Sequence, residues 1–362
     1  MPLHTKAIPL VLALLISSPF ISFTSFATNK FDQQQIAESI KRNLEDNLYQ
    51  LPPRIQGHFG IRMYRMTGDE KYANSALVDL YAVSDAQSFY ACQLDDEKFV
   101  FKASQNAIAK LGKGPRAKAR KNALKPFPEF LFYTDILLRY GSRINEFGLK
   151  GPCDEKMIAA LKQVDLTKGL TNKAMIEAWS AQLANYVYWA KQLGVGDYVD
   201  VYTKAFQQTY ADDNDHLLSK KQFKNKIYGM THFIFAASEY YQHKVDKQQF
   251  SWILNYFEKN IDRIINETTP DIIAEVGISF LLAGENNHPI IQITRTAVTK
   301  AYDTDDKIIP SPSGNTNLAL GEHRNVLAIM LINWPTQLHK GPYLGELKAT
   351  KRNLPKNVSV IH

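Results

Sequence analysis

Between Tyr228 and Gly284 the chain alternates two unlike kinds of helix, and few folds accommodate that alternation. Tyr228–Tyr241 (YGMTHFIFAASEYY) is apolar almost all round, which marks a helix buried on every side. Phe250–Ile265 instead confines Phe250, Ile253, Leu254, Phe257, Ile261, Ile264 and Ile265 to one stripe. Asn255, Glu258, Lys259, Asp262 and Arg263 lie opposite, so this helix covers a core and faces water. Asp271–Ala283 is again apolar round most of its circumference. Buried, covering, then buried helix is the unit of a double-walled helical ring, and the expected class is all-α.

The same unit recurs along the chain. YRMTGDEKYANSALVDLY and AKQLGVGDYVDVYTKAFQQTY share a helix, a Gly-Asp turn and a Tyr-led covering helix. Gly just past one helix and Asp as the next N-cap predict a tight hairpin. Such turns, at Gly68, near Gly141, at Gly196, near Asp246 and at Gly284, recur every 40 to 70 residues and give five hairpins. A sixth buried helix, Asn317–Trp334, has no partner after it. Phe31–Leu48, with Ile36, Ile40, Leu44 and Leu48 at four-residue spacing, has none before it, and Pro52-Pro53 stops it. These two are expected to pack together and join the ends of the chain.

The connections are unequal. Those from buried to covering helix are short, whereas Ser84–Lys125, Ala211–Ile227 and Asp303–Thr316 run from covering helix to the next buried one. All three long segments are expected on one rim, where a rigid scaffold would present binding residues. Polar residues of the buried helices gather at that end: His58 and Arg62, Glu129 and Tyr133, Glu177 and Gln182, Tyr228 and His232, Asp271 and Glu275, then Glu322, His323 and Arg324. A buried carboxylate or imidazole needs a partner, so their gathering predicts a shared polar funnel. Each has a plainer reading as a hydrogen-bonded core group or, for Asp271, as a charge favoured by a helix N-terminus.

Composition limits the setting. Lys6 is the only fixed charge before an apolar run from Ala7 to Phe23, and Ser25-Phe26-Ala27 offers small residues for cleavage. Residues 1–27 are therefore expected to be a signal peptide, with residues 28–362 a single domain that is periplasmic or secreted and has no further membrane span. Cys92 and Cys153 are an even count in an exported chain, which favours one disulfide over two free thiols. The net charge of +7 is local, since Lys102–Lys125 holds eight Lys or Arg and no acid. A solvated loop is the plain reading of such a run. The sharper one is contact with an acidic polysaccharide or another anionic envelope component, since export argues against nucleic acid.

The hairpin HFGIRMYRMTGDEKYANSAL resembles those of alpha/alpha-toroid proteins, which include six-hairpin glycosidases and polysaccharide lyases. The block from YGMTHFIFAASEYY through DIIAEVGISFLLAG resembles an uncharacterised family of exported bacterial proteins, a domain of unknown function. The resemblance implies a toroid of about six hairpins with a substrate cleft where the inner helices begin. It carries no catalytic signature residue by residue.

Motifs for phosphate loops, zinc proteases, redox dithiols or nucleophile elbows are absent, and no cofactor or metal is expected. Two functions stay open. A carbohydrate-active enzyme would draw its catalytic groups from His232, Glu275, Tyr228 and His58. Its substrate contacts would come from Arg62, Glu129, Glu177, Asp271, His323 and Arg324. A lyase would use His232 or Tyr228 as base and Arg62 or Arg324 to neutralise a uronate carboxylate. A hydrolase would need two carboxylates, Glu275 with Glu177 or Glu129. The alternative is a non-catalytic module that binds glycan, peptide or protein on the same rim.

Overall fold

The computed structural model describes residues 24–361. The leader expected over residues 1–27 therefore lies, apart from its last four residues, outside the described part. Among the described residues helix accounts for 67% and sheet for one short ladder, so the class is all-α. The first hairpin pairs α2 (Pro53–Thr67) with α3 (Ala73–Ala91), after α1 (Thr24–Asp46). Gly68 ends α2 at φ +70° with its N–H on Tyr64 O, and the Asp69 carboxylate accepts from Lys71 N, as the Gly-Asp turn required. The two helices meet closely because a Cβ on Gly57 would lie 2.3 Å from Asp79 Cβ, and one on Gly60 2.6 Å from Ser75 Cβ.

The segment Ser84–Lys125 departs from expectation. In place of an irregular loop it holds the end of α3, then α4 (Glu97–Ala109) and α5 (Pro115–Leu124). The Asp96 carboxylate caps α4 by accepting from Lys98 N and Phe99 N, and Pro115 opens α5 where a missing N–H costs nothing. The expected helix Glu129–Tyr140 is a π-helical stretch, Phe132–Leu138, that continues as α6 (Arg139–Asn145). After α7 (Asp154–Gln163) and the single turn α8 (Thr167–Leu170) come α9 (Lys173–Gln192) and its cover α10 (Val199–Thr209).

The buried helix read from Tyr228 begins earlier, as α11 (Lys220–Ala237), with Ser219 and Gln222 forming a reciprocal capping box. Its cover is broken at Asn260 into α12 (Ser251–Lys259) and α13 (Ile261–Glu267). Then follow α14 (Pro270–Leu282), α15 (Pro289–Thr299) and α16 (Leu318–Ile332).

Packing follows chain order for the buried helices: α9 lies on α11, α11 on α14, α14 on α16, and α16 returns to α2. The gap between α2 and α9 is spanned by α3 with α6 and the π-helical stretch. The helix α1 packs on α16 and α15, with Ile40 and Leu44 buried and Ile36 partly so. Tyr302 OH donates to Ser39 Oγ, and Asn43 donates to the carbonyls of Asp306 and Lys307. Beyond Pro335 the tail crosses back to α2 and to the turn after α6: His339 N donates to Arg65 O and Leu344 N to Phe147 O. It ends in an antiparallel ladder of β1 (Leu149–Lys150) with β2 (Ser359–Val360). Cys92 and Cys153 form a disulfide, Cα atoms 5.3 Å apart, tying the end of α3 to the start of α7. No helix among the described residues is long and apolar enough to cross a membrane.

Candidate functional site

A cavity of about 650 Å³ lies between α2, α3, α6, α9, α11 and α16. His58, Arg62, Tyr228, His232 and His323, all singled out from the sequence, line it. Glu275 lies just behind, fully buried, with Oε2 accepting from Thr231 Oγ1 at 2.6 Å and Oε1 3.4 Å from His323 Nε2. Glu129, Glu177, Asp271 and Arg324 do not line it. Arg324 donates to Ile309 O and so braces the loop before α16, while Asp271 sits in the first turn of α14.

His232 is the most completely oriented group. Its Nδ1 lies 3.0 Å from Asn185 Oδ1, which accepts and so fixes the ring proton there. Nε2 then carries the lone pair and has no protein partner. Tyr228 stands edge-on to the ring, centroids 4.6 Å apart. Burial, then His323 and Arg62, push the His232 pKa down to about 3, so the imidazole is neutral. Burial, Glu275 and Asp271 together hold the Tyr228 phenol well above its usual value.

His58 and Glu322 form a second group. Nδ1 and Oε2 are 2.6 Å apart without the alignment of a hydrogen bond. Burial, with Arg62 and His323 nearby, holds His58 well below its usual value, and burial pushes Glu322 up to about 7. The carboxyl is thus poised between its neutral and charged forms at neutral pH. The two histidine rings, His58 and His323, are 5.3 Å apart. Among the described residues no three His, Cys, Asp or Glu are grouped to hold a metal ion.

The cavity is rich in arginine. Three are matched by acids: Arg65 with Glu146 at 3.3 Å, Arg139 with Asp135 at 3.7 Å, and Arg143 with both Asp79 at 3.6 Å and Glu146 at 3.2 Å. Arg54, Arg62 and Arg120 have no carboxylate within 4.0 Å among the described residues. Arg62 is buried, donates to His58 O and lies 5.6 Å from the Tyr241 ring centre. Arg120 reaches in from α5 and stacks 4.1 Å over Trp179, donating to Gln182 Oε1 and Ala178 O. Burial and the neighbouring Arg116 bring the Arg120 pKa down to about 10, still charged.

The remaining wall is made by a turn that the sequence did not announce. After α11, Glu239, Tyr240 and Tyr241 take φ values of 50°, 55° and 78°. Left-handed backbone costs non-glycine residues on the order of 1–2 kcal/mol each, so three in series need support. Arg65, wholly buried, supplies it: Nη1 donates to the carbonyls of Glu239 (3.3 Å) and Tyr240 (2.8 Å). Its Nε donates to Gly341 O at 2.8 Å. The turn brings both tyrosine rings to the cavity, and Tyr240 OH lies 3.4 Å from His232 Nδ1. Asn185, Tyr240, Tyr241, Arg54 and Arg120 were not among the residues expected there.

Unpartnered buried atoms converge on this space: Arg62 Nε, Trp179 Nε1, His232 Nε2, Tyr241 OH and Glu322 Oε1. Groups left so are costly unless something polar meets them, and their number makes the cavity the candidate site. Comparison with curated proteins and with solved structures found no match. A family model does match, over residues 33–360, and the chain accordingly belongs to DUF3541, a domain of unknown function.

Proposed function

We propose that the cavity takes an acidic glycan and that the protein, exported and disulfide-bonded, cleaves it by β-elimination. The observation that carries this is the set of three arginines without acid partners, Arg54, Arg62 and Arg120, around aromatic walls from Trp179, Tyr186 and Trp189. Unmatched guanidinium groups in a confined space favour carboxylate or sulfate. Flat aromatic faces suit sugar rings.

Elimination asks for three things: neutralisation of the uronate carboxylate, a base for the proton on the adjacent carbon, and an acid for the leaving oxygen. Arg62 serves the first. His232 Nε2 is the base, aimed by Asn185, and the arriving carboxylate lifts its depressed pKa by supplying the negative charge the site lacks. Tyr228, kept protonated, is the acid. The C–H and glycosidic C–O bonds break, a C=C bond forms, and the proton count is unchanged. Hydrolysis needs two carboxyl groups and is less well served: Asp79, Asp135 and Glu146 are engaged by arginines and Glu275 is closed off, which leaves Glu322 as the one lining carboxyl without an arginine partner.

The test is incubation with polyuronates, sulfated glycans and neutral glycans. Ultraviolet-absorbing unsaturated uronate ends are expected, with the rate falling by about a hundredfold or more in His232→Ala. Reducing ends alone would mean hydrolysis. Saturable binding without product, weakened in Arg62→Gln, would make the protein a non-catalytic module, and neither product nor binding would refute the reading of the cavity.

A further inference from the structure

Seven of the eight cations between Lys102 and Lys125 make no side-chain hydrogen bond or ion pair within the fold among the described residues; the eighth, Arg120, reaches into the cavity. Among the described residues none of them lies within 4.0 Å of a carboxylate, whereas Lys41, Lys71, Lys156, Lys191, Lys226 and Lys247 each do. Six are exposed; Arg120 and Lys121 are partly buried. The helix α5 packs on α9 and turns Ala117, Ala123 and Leu124 inward, with Arg120 reaching into the cavity and Arg116 and Lys118 left outward. Arg116 and Arg120 are one turn apart on a common face. Burial first, and then the Arg116 charge, lower the Arg120 pKa, as expected of cations so spaced. Before the helix, a Cβ on Gly112 or Gly114 would meet nothing within 4 Å, so the approach to Lys113 is open.

We propose that α5 and the turn before it form a docking track for an anionic polysaccharide, continuing the cavity outward from Arg120 over Arg116 to Lys113, Lys118 and Lys121. This rests on the glycan reading of the cavity and extends it: the ligand is a polymer, held beyond the sugars that fill the site. A membrane is the poorer partner, because the exposed residues of α5 and its C-cap are Pro115, Arg116, Lys118, Ala119, Asn122 and Lys125, with no large apolar anchor among them. Exposed cations act over roughly a Debye length, about 10 Å at 0.1 M salt. Tethering by the track raises the effective concentration of the chain at the cavity.

The test compares the full-length protein with the variant Lys113→Gln, Arg116→Gln, Lys118→Gln, Lys121→Gln, in which helix propensity is kept. A charge-matched control replaces Lys300, Lys307, Lys340 and Lys348, none of which lines the cavity. The probes are polygalacturonate, digalacturonate, and vesicles of phosphatidylglycerol or phosphatidylcholine. At low salt the variant should bind polygalacturonate about tenfold or more weakly, with a shallower salt dependence. Digalacturonate should bind both proteins alike, and the control should retain polymer binding. Unchanged polymer affinity, an equal loss in the control, or no polymer binding at all overturns the track. A charge-dependent loss seen only with phosphatidylglycerol vesicles replaces the polymer by a membrane. Polymer bound through α5 with no disaccharide binding leaves the track standing and removes the cavity reading.

Discussion

Replacing Arg65 by Met removes the support of the cavity wall while keeping most of the side-chain volume. Arg65 is wholly buried and donates to Gly341 O, Glu239 O, Tyr240 O and Glu146 Oε2. Glu146 keeps a partner in Arg143, so the variant leaves no carboxylate alone. It does leave three carbonyls without their charged donor, at about 1.5–3 kcal/mol for each such bond before compensation. Methionine recovers part through apolar packing, and the expected net loss is about 4 kcal/mol, within the range for breaking a buried ionic network. That is a large share of the 5–15 kcal/mol of a typical domain. Urea unfolding read by far-ultraviolet circular dichroism gives the global loss. Hydrogen exchange should show the amides of Tyr240 to Gln242 opening first, since released left-handed backbone relaxes. Arg65→Lys, which keeps the charge but not the fork, should fall between the two. If Arg65→Met unfolds within about 1 kcal/mol of the parent and exchange at Tyr240 is unchanged, the turn is not held by Arg65 and the reasoning fails.

Reducing Cys92–Cys153, which closes a loop of 61 residues, should lower stability by up to about 4 kcal/mol; an unchanged melting temperature after thiol titration confirms both cysteines free would refute this. Deleting α1 through Gln50 exposes the surface covered by Ala37, Ile40 and Leu44, worth roughly 5 kcal/mol, and should give an aggregating chain by light scattering; a monomer with the parental melting curve would contradict the packing. Glu322 binds its proton more tightly folded than unfolded, so its contribution is full below about pH 4.5 and is lost as pH rises through about 7. Relative to Glu322→Gln, the parent should therefore lose up to about 3 kcal/mol between pH 4.5 and 8, and parallel stability curves would rule this out. His232 works in the opposite sense, since its folded pKa of about 3 makes stability fall as pH drops below about 6.5. His232→Gln should accordingly lose less stability than the parent between pH 6.5 and 4, and equal acid sensitivity would count against a neutral buried imidazole.

What could be read from the sequence was what periodicity controls. The all-round apolar α11, α14 and α16 and their one-sided covers are products of burial, and burial writes itself as composition along a turn. The helices α4 and α5 carry no clear stripe because their buried positions are mostly small (Val100, Ala103 and Ser104, then Ala117, Ala123 and Leu124) while Phe101 faces outward, although Asp96 and Gly114-Pro115 mark their starts. Ser219 and Gln222 likewise signal the true start of α11, eight residues before its apolar run. In the site, His58, Arg62, Tyr228, His232 and His323 stood out as polar groups on apolar helices. Tyr240 and Tyr241 did not, because Glu239-Tyr240-Tyr241 contains no glycine to announce left-handed backbone. Their position depends on Arg65, a contact between distant parts of the chain. Glu129, Glu177, Asp271 and Arg324 lie on or beside the expected helices, yet sequence position alone could not tell a cavity face from a flanking one.

The partners of Arg65 lie 81, 174, 175 and 276 residues along the chain. Contacts so remote form late, because each closes a long loop before it is rewarded. The helices of one hairpin can pair as soon as both exist, but the floor of the cavity cannot be finished until Gly341 arrives. Until then the chain offers no completed site to bind a ligand, and closing this wall is among the last steps of its assembly.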